Sequence, residues 1–160
     1  MPPVRTTHPP SNVIAHAGAA TLIDLSIARR PGRVRPGTGT WCSLAPEQAR
    51  GEHAGPAADV WGLAALLHEA LTGRAPFGDD DAGRSGPAEG PGGAGEAEYP
   101  CLVHRAPPLR ALRPRAARTL AAAIDAGLAP DPAARPPLRA LLDVLDEHAG
   151  RPAGPAGRRR

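Results

Sequence analysis

Residues 59–73 read Asp-Val-Trp-Gly-Leu-Ala-Ala-Leu-Leu-His-Glu-Ala-Leu-Thr-Gly, and this stretch decides the fold of the chain. It predicts a helix, because Asp59 can cap its start, Gly73 can end it, and no proline lies between them. Apolar residues cover nearly the whole circumference of this helix, which is typical of a helix buried in a core. The stretch is too short, and too interrupted by His68 and Glu69, to span a membrane. We therefore expect a central core helix against which the other elements pack.

The composition predicts a single domain with a shallow core. The 160 residues include 21 prolines and 19 glycines, a proportion close to that of disordered chains. Trp41, Trp61, Phe77 and Tyr99 are the only aromatic residues. Alanine and leucine must therefore fill most of the interior, and we expect marginal stability.

The charges and cysteines argue against several classes of protein. The net charge is +3, and four arginines lie in the segment 149–160, which we expect to be a disordered basic tail. This interpretation is favoured over a nucleic-acid-binding arm, so no nucleic-acid partner is expected. Cys42 and Cys101 do not form a disulfide framework, and the Cys101 to His104 spacing lacks the second pair that a zinc site requires. No signal peptide or membrane span is visible, which predicts a cytoplasmic location.

The remaining patterns predict a mainly α chain with one small β-hairpin. Two short apolar runs, 13–15 and 21–23, flank a turn signal and predict the hairpin. Residues 29–43 lack periodicity and predict a loop. Residues 78–98 are rich in glycine, alanine, proline and acids, which predicts a flexible acidic insertion. Residues 114–128 predict an amphipathic helix, and Leu138, Leu141, Leu142 and Leu145 form the apolar stripe of a last helix.

Four motifs in register resemble one family. They are Asp24-Leu25-Ser26, Ala45-Pro46-Glu47-Gln48, the helix start at Asp59, and Leu128-Ala-Pro-Asp-Pro-Ala-Ala-Arg135-Pro136. In this order and spacing they resemble the C-terminal lobe of a bacterial-type, actinobacterial-like serine/threonine protein kinase, over nearly the whole span 1–148. The resemblance implies the helical fold of that lobe. Nothing in the chain resembles the Gly-rich loop or the strand lysine of the N-terminal lobe, so we expect that lobe to be absent.

The resemblance also implies a degenerate catalytic loop. With Asn12 and the following strand as the anchor, Thr7 stands where the family has its catalytic aspartate, and Pro9 stands where it has its lysine. A threonine cannot act as a carboxylate base, and proline offers neither charge nor donor. Asn12 and Asp24 keep the family's residue types and are candidate ligands for weak Mg-ATP binding. The alternative, which we favour, is that Asn12 is a turn residue and Asp24 a strand end without a ligand. No other metal or cofactor is expected.

Other positions are assigned structural or regulatory roles by the same resemblance. Glu47 and Arg135 match the family's buried ion pair, and we expect this pair, with Asp59, to support the architecture. Thr38, Thr40 and Ser43 lie in an arginine-rich loop and are candidate phosphate acceptors for another kinase. A solvated basic loop without such a role is the alternative.

Two functions remain open on the sequence. The favoured one is a kinase-like domain with impaired catalysis, a pseudokinase-like binding or scaffold module that transfers no phosphate by itself. The alternative is part of an active ATP-dependent serine/threonine kinase whose N-terminal lobe and catalytic loop are missing from this sequence. The face that such a lobe would cover is expected to bind a protein partner or a second copy of the chain. The identity of a substrate or partner does not follow from the sequence.

Overall fold

The computed structural model describes residues 13–16, 19–23, 28–78 and 99–150. The expected acidic insertion beyond Gly78 and the basic tail from Arg151 onward therefore lie outside the described residues, and both stay predictions. Within the described ranges about half of the residues are helical, and two short antiparallel strand pairs are present.

The central helix, α2, spans Pro56–Thr72. Gly55 precedes it and Pro56 takes the first helical position, where a missing N–H is tolerated. Gly73 ends the helix with φ of 77°, a left-handed conformation that suits glycine. The expected cap at Asp59 is wrong: this exposed residue lies within the first turn, where its carboxylate still favours the positive end of the helix. No helix in the described ranges is long and apolar enough to cross a membrane.

The expected hairpin is present, but it is not the only strand pair. Strand β1 (Val13–His16) pairs with β2 (Ala19–Leu22) in antiparallel register, with Val13 opposite Leu22. Strands β3 (Gly32–Arg33) and β4 (His53–Ala54) form a second pair, which corrects the prediction of one hairpin and an irregular loop. A two-residue pairing relies on backbone hydrogen bonds, and side-chain periodicity cannot reveal it.

The other helices are short or amphipathic. Helix α1 spans Pro46–Ala49, α3 spans Pro100–Val103, α4 spans Leu109–Leu112, α5 spans Arg118–Gly127 and α6 spans Leu138–His148. Two 3-10 turns, Trp41–Ser43 and Pro132–Ala134, complete the helical elements of the described chain. The helix predicted from residue 114 begins four residues later, because residues 113–117 form an exposed turn.

The core lies on both sides of α2. Its larger part surrounds Trp61, which is fully buried and stacks on Phe77 with ring centroids 4.9 Å apart. Half of the ten buried residues in this part are alanines, as the composition predicts. A smaller cluster joins Leu109, Ala121 and Ile124 at the other end of α2. In this Ala-rich core, small side chains let the helices approach closely.

The last helix buries less of its apolar stripe than the sequence predicts. Leu141 is fully buried, whereas Leu138 and Leu142 are 42% and 39% exposed. Helix α6 contacts α5 and α2, so one narrow face is covered and the flanks of the stripe are open to water.

Candidate functional site

The described part of the candidate site is built around the short helix α1. Pro46 takes its first position, and the N–H of Ala45 donates to the side-chain oxygen of Gln48 at 3.1 Å. These features fix the start of the helix. They direct Glu47 into the interior, where the residue is 3% exposed. A buried carboxylate needs a partner, because its desolvation is costly.

Arg135 is that partner. Its Nη1 lies 2.6 Å from one carboxylate oxygen of Glu47, and its Nη2 lies 2.8 Å from the other. This is the two-pronged geometry in which a planar guanidinium matches a carboxylate. Glu47 and Arg135 are 88 positions apart in sequence, and their side chains are 4% and 0% exposed. The structure thus joins the two residues that the sequence analysis pairs.

Arg135 also binds three backbone carbonyls, which the sequence did not indicate. Its Nε donates to Ala129 at 2.8 Å, Nη1 to Ala57 at 2.9 Å, and Nη2 to Pro130 at 3.2 Å. With the two bonds to Glu47, all five guanidinium N–H groups have acceptors. The guanidinium carbon also lies 4.9 Å from the centre of the Trp61 ring, within the range of a cation–π contact.

This arrangement ties together parts of the chain that are far apart in sequence. Arg135 links α1, the first turn of α2 and the segment that follows α5. Since every N–H group of Arg135 and both oxygens of Glu47 are engaged, neither side chain is free to bind a ligand. The geometry therefore supports an architectural role for the pair.

The three candidate phosphate acceptors lie in different environments. Thr38 donates its hydroxyl to the carbonyl of Arg35 at 2.8 Å. Thr40 is exposed, and its side chain makes no capping bond to the 3-10 turn that follows. Ser43 is half-buried, and its N–H donates to the carbonyl of Thr40 at 2.9 Å. Thr40 is the exposed residue of the three, whereas Thr38 and Ser43 are half-buried, and a role as phosphate acceptor stays a prediction for all of them.

The expected catalytic and nucleotide-binding positions are not part of this geometry. Thr7, Pro9, Asn12 and Asp24 lie outside the described residues, so their roles stay predictions. Asp59 is described and lies on the exposed side of the first turn of α2, next to the helix end that Arg135 binds.

Both cysteines are buried and free. Burial raises the pKa of the Cys101 thiol from 9.0 to about 11. Burial also raises the pKa of the Cys42 thiol, and the nearby charge of Glu69 adds to this shift. A raised pKa lowers the fraction of thiolate, so neither cysteine has the character of a nucleophile.

One buried polar residue was assigned no role in the sequence analysis. His68 is fully buried in α2, and its Nε2 lies 3.1 Å from the carbonyl of Pro107. Because a carbonyl only accepts, Nε2 carries the hydrogen of this bond, which ties α2 to the segment before α4. A histidine beside the apolar residues 63–67 of this helix was the signal that could have indicated a buried hydrogen bond.

Comparison with known proteins identifies the class of the chain. No protein-family profile matches it. Its similarities to individual proteins are nevertheless consistent, and they identify the chain as serine/threonine-kinase-like. The resemblance inferred from the motifs is thereby confirmed.

The relatives include three bacterial kinases. The chain is 35% identical over 133 residues to serine/threonine-protein kinase PknD of Mycobacterium tuberculosis, a match that covers 79% of the chain and 18% of PknD. It is 38% identical over 82 residues to the probable serine/threonine-protein kinase PkwA of Thermomonospora curvata, covering 46% of the chain and 11% of PkwA. It is 39% identical over 69 residues to PknA of Mycobacterium tuberculosis, covering 43% of the chain and 15% of PknA. The chain thus spans less than a fifth of the length of these relatives.

Proposed function

We propose that this chain is a kinase C-lobe-like module with impaired catalysis, which acts by binding other proteins rather than by transferring phosphate. The observation that carries the proposal is the buried pair of Glu47 and Arg135, with all its hydrogen bonds made. By the resemblance, Glu47 and Arg135 match architectural residues of the family, whereas Thr7 and Pro9 stand where the family has its catalytic aspartate and lysine. A chain that has the architectural residues of the family but not its catalytic residues is better suited to binding than to catalysis.

The chemical reason is that phosphoryl transfer depends on positioning and on charge stabilisation. A threonine at position 7 supplies no carboxylate to accept the proton of a substrate hydroxyl. A proline at position 9 supplies no cation to the phosphate. Asn12 and Asp24 are oxygen ligands of the type that Mg²⁺ prefers, and with these two alone we expect Mg-ATP to bind no tighter than about 1 mM.

The test is transfer of radiolabelled γ-phosphate from ATP by the purified 160-residue chain. Two substrates are offered, a generic basic protein and the chain itself, and the Asp24→Ala variant is the matched control. We expect the unmodified chain and the Asp24→Ala variant to give the same background signal. Transfer that exceeds background and disappears in Asp24→Ala would overturn the proposal and restore an enzyme.

The alternative proposal is that the chain is part of an active serine/threonine kinase. It is favoured by the relatives, which are all named as kinases and are much longer than the matched region. Translation of the DNA upstream of Met1 in three frames distinguishes the two proposals. A Gly-rich loop, a Val-Ala-x-Lys strand and a His-Arg-Asp motif in an overlapping frame would favour the active kinase.

The binding role includes a surface at the hairpin of β1 and β2. Ile14 and Ile23 are each 53% exposed there, and large exposed apolar side chains favour association. We expect a protein partner or a second copy of the chain to cover them. Sedimentation velocity over a hundredfold concentration range tests self-association, with Ile14→Ser/Ile23→Ser as the comparison. A concentration-independent monomer that also binds no dye for exposed apolar surface would count against this part of the proposal.

A further inference from the structure

An open groove lies at the carboxyl end of α2, away from the buried ion pair. It has a volume of about 630 Å³, which is within the range of ligand-binding clefts. It is lined by Leu71, Leu112, Arg113, Pro114, Arg115 and Ala116. Leu112 is 39% exposed, so part of the apolar lining faces water. The groove therefore combines apolar side chains with two arginines.

The surroundings of the groove are strongly basic. Residues 105–118 contain five arginines and no acidic residue. Arg110, Arg115 and Arg118 are exposed, and no ion pair of the described residues involves them. Asp125, on α5, is already engaged, because its Oδ1 accepts the N–H of Leu109 at 2.9 Å. These three arginines thus have no carboxylate partner among the ion pairs of the described residues.

The walls of the groove are held in place by hydrogen bonds. Nε of Arg113 donates to the carbonyl of Leu71 at 2.6 Å, which joins the turn after α4 to the end of α2. Nη2 of Arg110 donates to the carbonyl of Pro114 at 3.0 Å across the same turn. A groove fixed in this way needs little ordering when a ligand binds.

We infer that this groove docks an acidic segment of a partner protein that carries an apolar side chain beside its carboxylates. Arginines suit carboxylate ligands because a guanidinium offers several donors in one plane, and they are enriched in protein interfaces. The apolar lining gives the second determinant. Two copies of the chain that met groove to groove would repel each other, because both grooves are basic. Nucleic acid is disfavoured because no aromatic residue lines the groove for base stacking.

The test uses a fluorescein-labelled peptide, Gly-Asp-Glu-Leu-Asp-Glu-Phe-Asp-Gly, and the full chain. Fluorescence anisotropy at low salt gives its Kd. We expect Arg115→Glu/Arg118→Glu to weaken binding about tenfold, because each reversal replaces an attraction with a repulsion. We expect the affinity to fall with added salt. Both side chains are exposed, so the fold tolerates the change, and far-UV circular dichroism checks this.

Three controls make the result specific. Arg29→Glu/Arg30→Glu carries the same charge change on the exposed segment before β3 and should alter the Kd less than twofold. Leu112→Ser tests the apolar lining and should weaken binding a few-fold. A peptide with serine in place of Leu and Phe should bind more weakly than the original.

Several results would overturn the inference. They are no binding up to about 1 mM peptide, equal binding by Arg115→Glu/Arg118→Glu, and equal binding of the serine peptide. Tighter binding of an oligothymidylate, with the same sensitivity to the arginine variant, would identify a nucleic-acid surface instead. The peptide assay contains no ATP, so its failure is independent of any result on phosphate transfer.

Discussion

Removal of the Glu47 carboxylate tests the architecture most directly. Glu47→Ala leaves Arg135 buried without two of its five hydrogen bonds. A bond to a charged group contributes about 1.5–3 kcal/mol, so two of them give about 3–6 kcal/mol. Breaking a buried pair from one side typically costs about 3–5 kcal/mol, in agreement with this sum. We expect the free energy of unfolding to fall by about that amount, a large part of the total stability of a small domain.

The measurement is urea and thermal unfolding followed by circular dichroism and tryptophan fluorescence. Trp61 is a suitable probe because it lies 4.9 Å from the guanidinium of Arg135. A loss of about 3–5 kcal/mol corresponds to a fall in Tm of roughly 6–20 °C for a chain of this size. Arg135→Met should cost more than Glu47→Ala, because three backbone carbonyls also lose their donor. Glu47→Gln should cost less, since it keeps one acceptor.

The matched control is an exposed ion pair in α6. Nε of Arg139 lies 2.8 Å from a carboxylate oxygen of Asp143, and the two side chains are 59% and 40% exposed. Arg139→Gln should change the stability by less than about 0.5 kcal/mol. If Glu47→Ala changes Tm no more than Arg139→Gln does, the buried pair is not structural and the reasoning is wrong.

Three further predictions concern glycines, thiols and the buried histidine. Gly127→Ala should destabilise the protein by about 1–3 kcal/mol, because the new Cβ would lie 2.6 Å from that of Ala64. Gly62→Ala should stabilise α2 by about 0.5–1 kcal/mol, because no described atom lies within 4 Å of the new Cβ. Urea unfolding of both variants tests these signs. The thiol of Cys101, whose pKa is about 11, should react with iodoacetamide slowly at pH 8 and much faster in urea. Because this folded-state pKa lies above the ordinary value of 9.0, the protonated thiol contributes fully to stability below pH 9, and this contribution is lost as the pH rises toward 11. Equal reactivity of the thiol in folded and unfolded protein would contradict its burial. His68→Leu should destabilise by about 0.5–1.5 kcal/mol, because the half-buried carbonyl of Pro107 loses its donor. An unchanged urea midpoint would refute the role of this bond.

The sequence by itself determined the elements that local rules govern. The apolar circumference of 59–73 predicted the central helix, and Gly73 ends it because glycine readily adopts the left-handed conformation. Four-residue steps of apolar residues predicted α5 and α6, and short apolar runs around a turn predicted the pairing of β1 with β2. The order of the motifs indicated a resemblance to serine/threonine kinases, and the sequence similarity to named kinases confirms it. These features depend on neighbours within a few residues or on a pattern of residue types.

The tertiary structure alone decided which atoms meet. The motifs were enough to pair Arg135 with Glu47, but they could not predict its three carbonyl acceptors. Every residue has a carbonyl, and no sequence pattern marks the ones that point inward. The stripe of α6 did not reveal that Leu141 is buried while Leu142 is exposed, because periodicity gives the direction of a face and not the width of its neighbour. Likewise, the helix pattern placed Asp59 near the start of α2 but not within its first turn, since Pro56 extends the helix by three residues. The groove at Leu112 forms only where α4 and the turn before α5 pass the end of α2, a juxtaposition of segments about 40 positions apart.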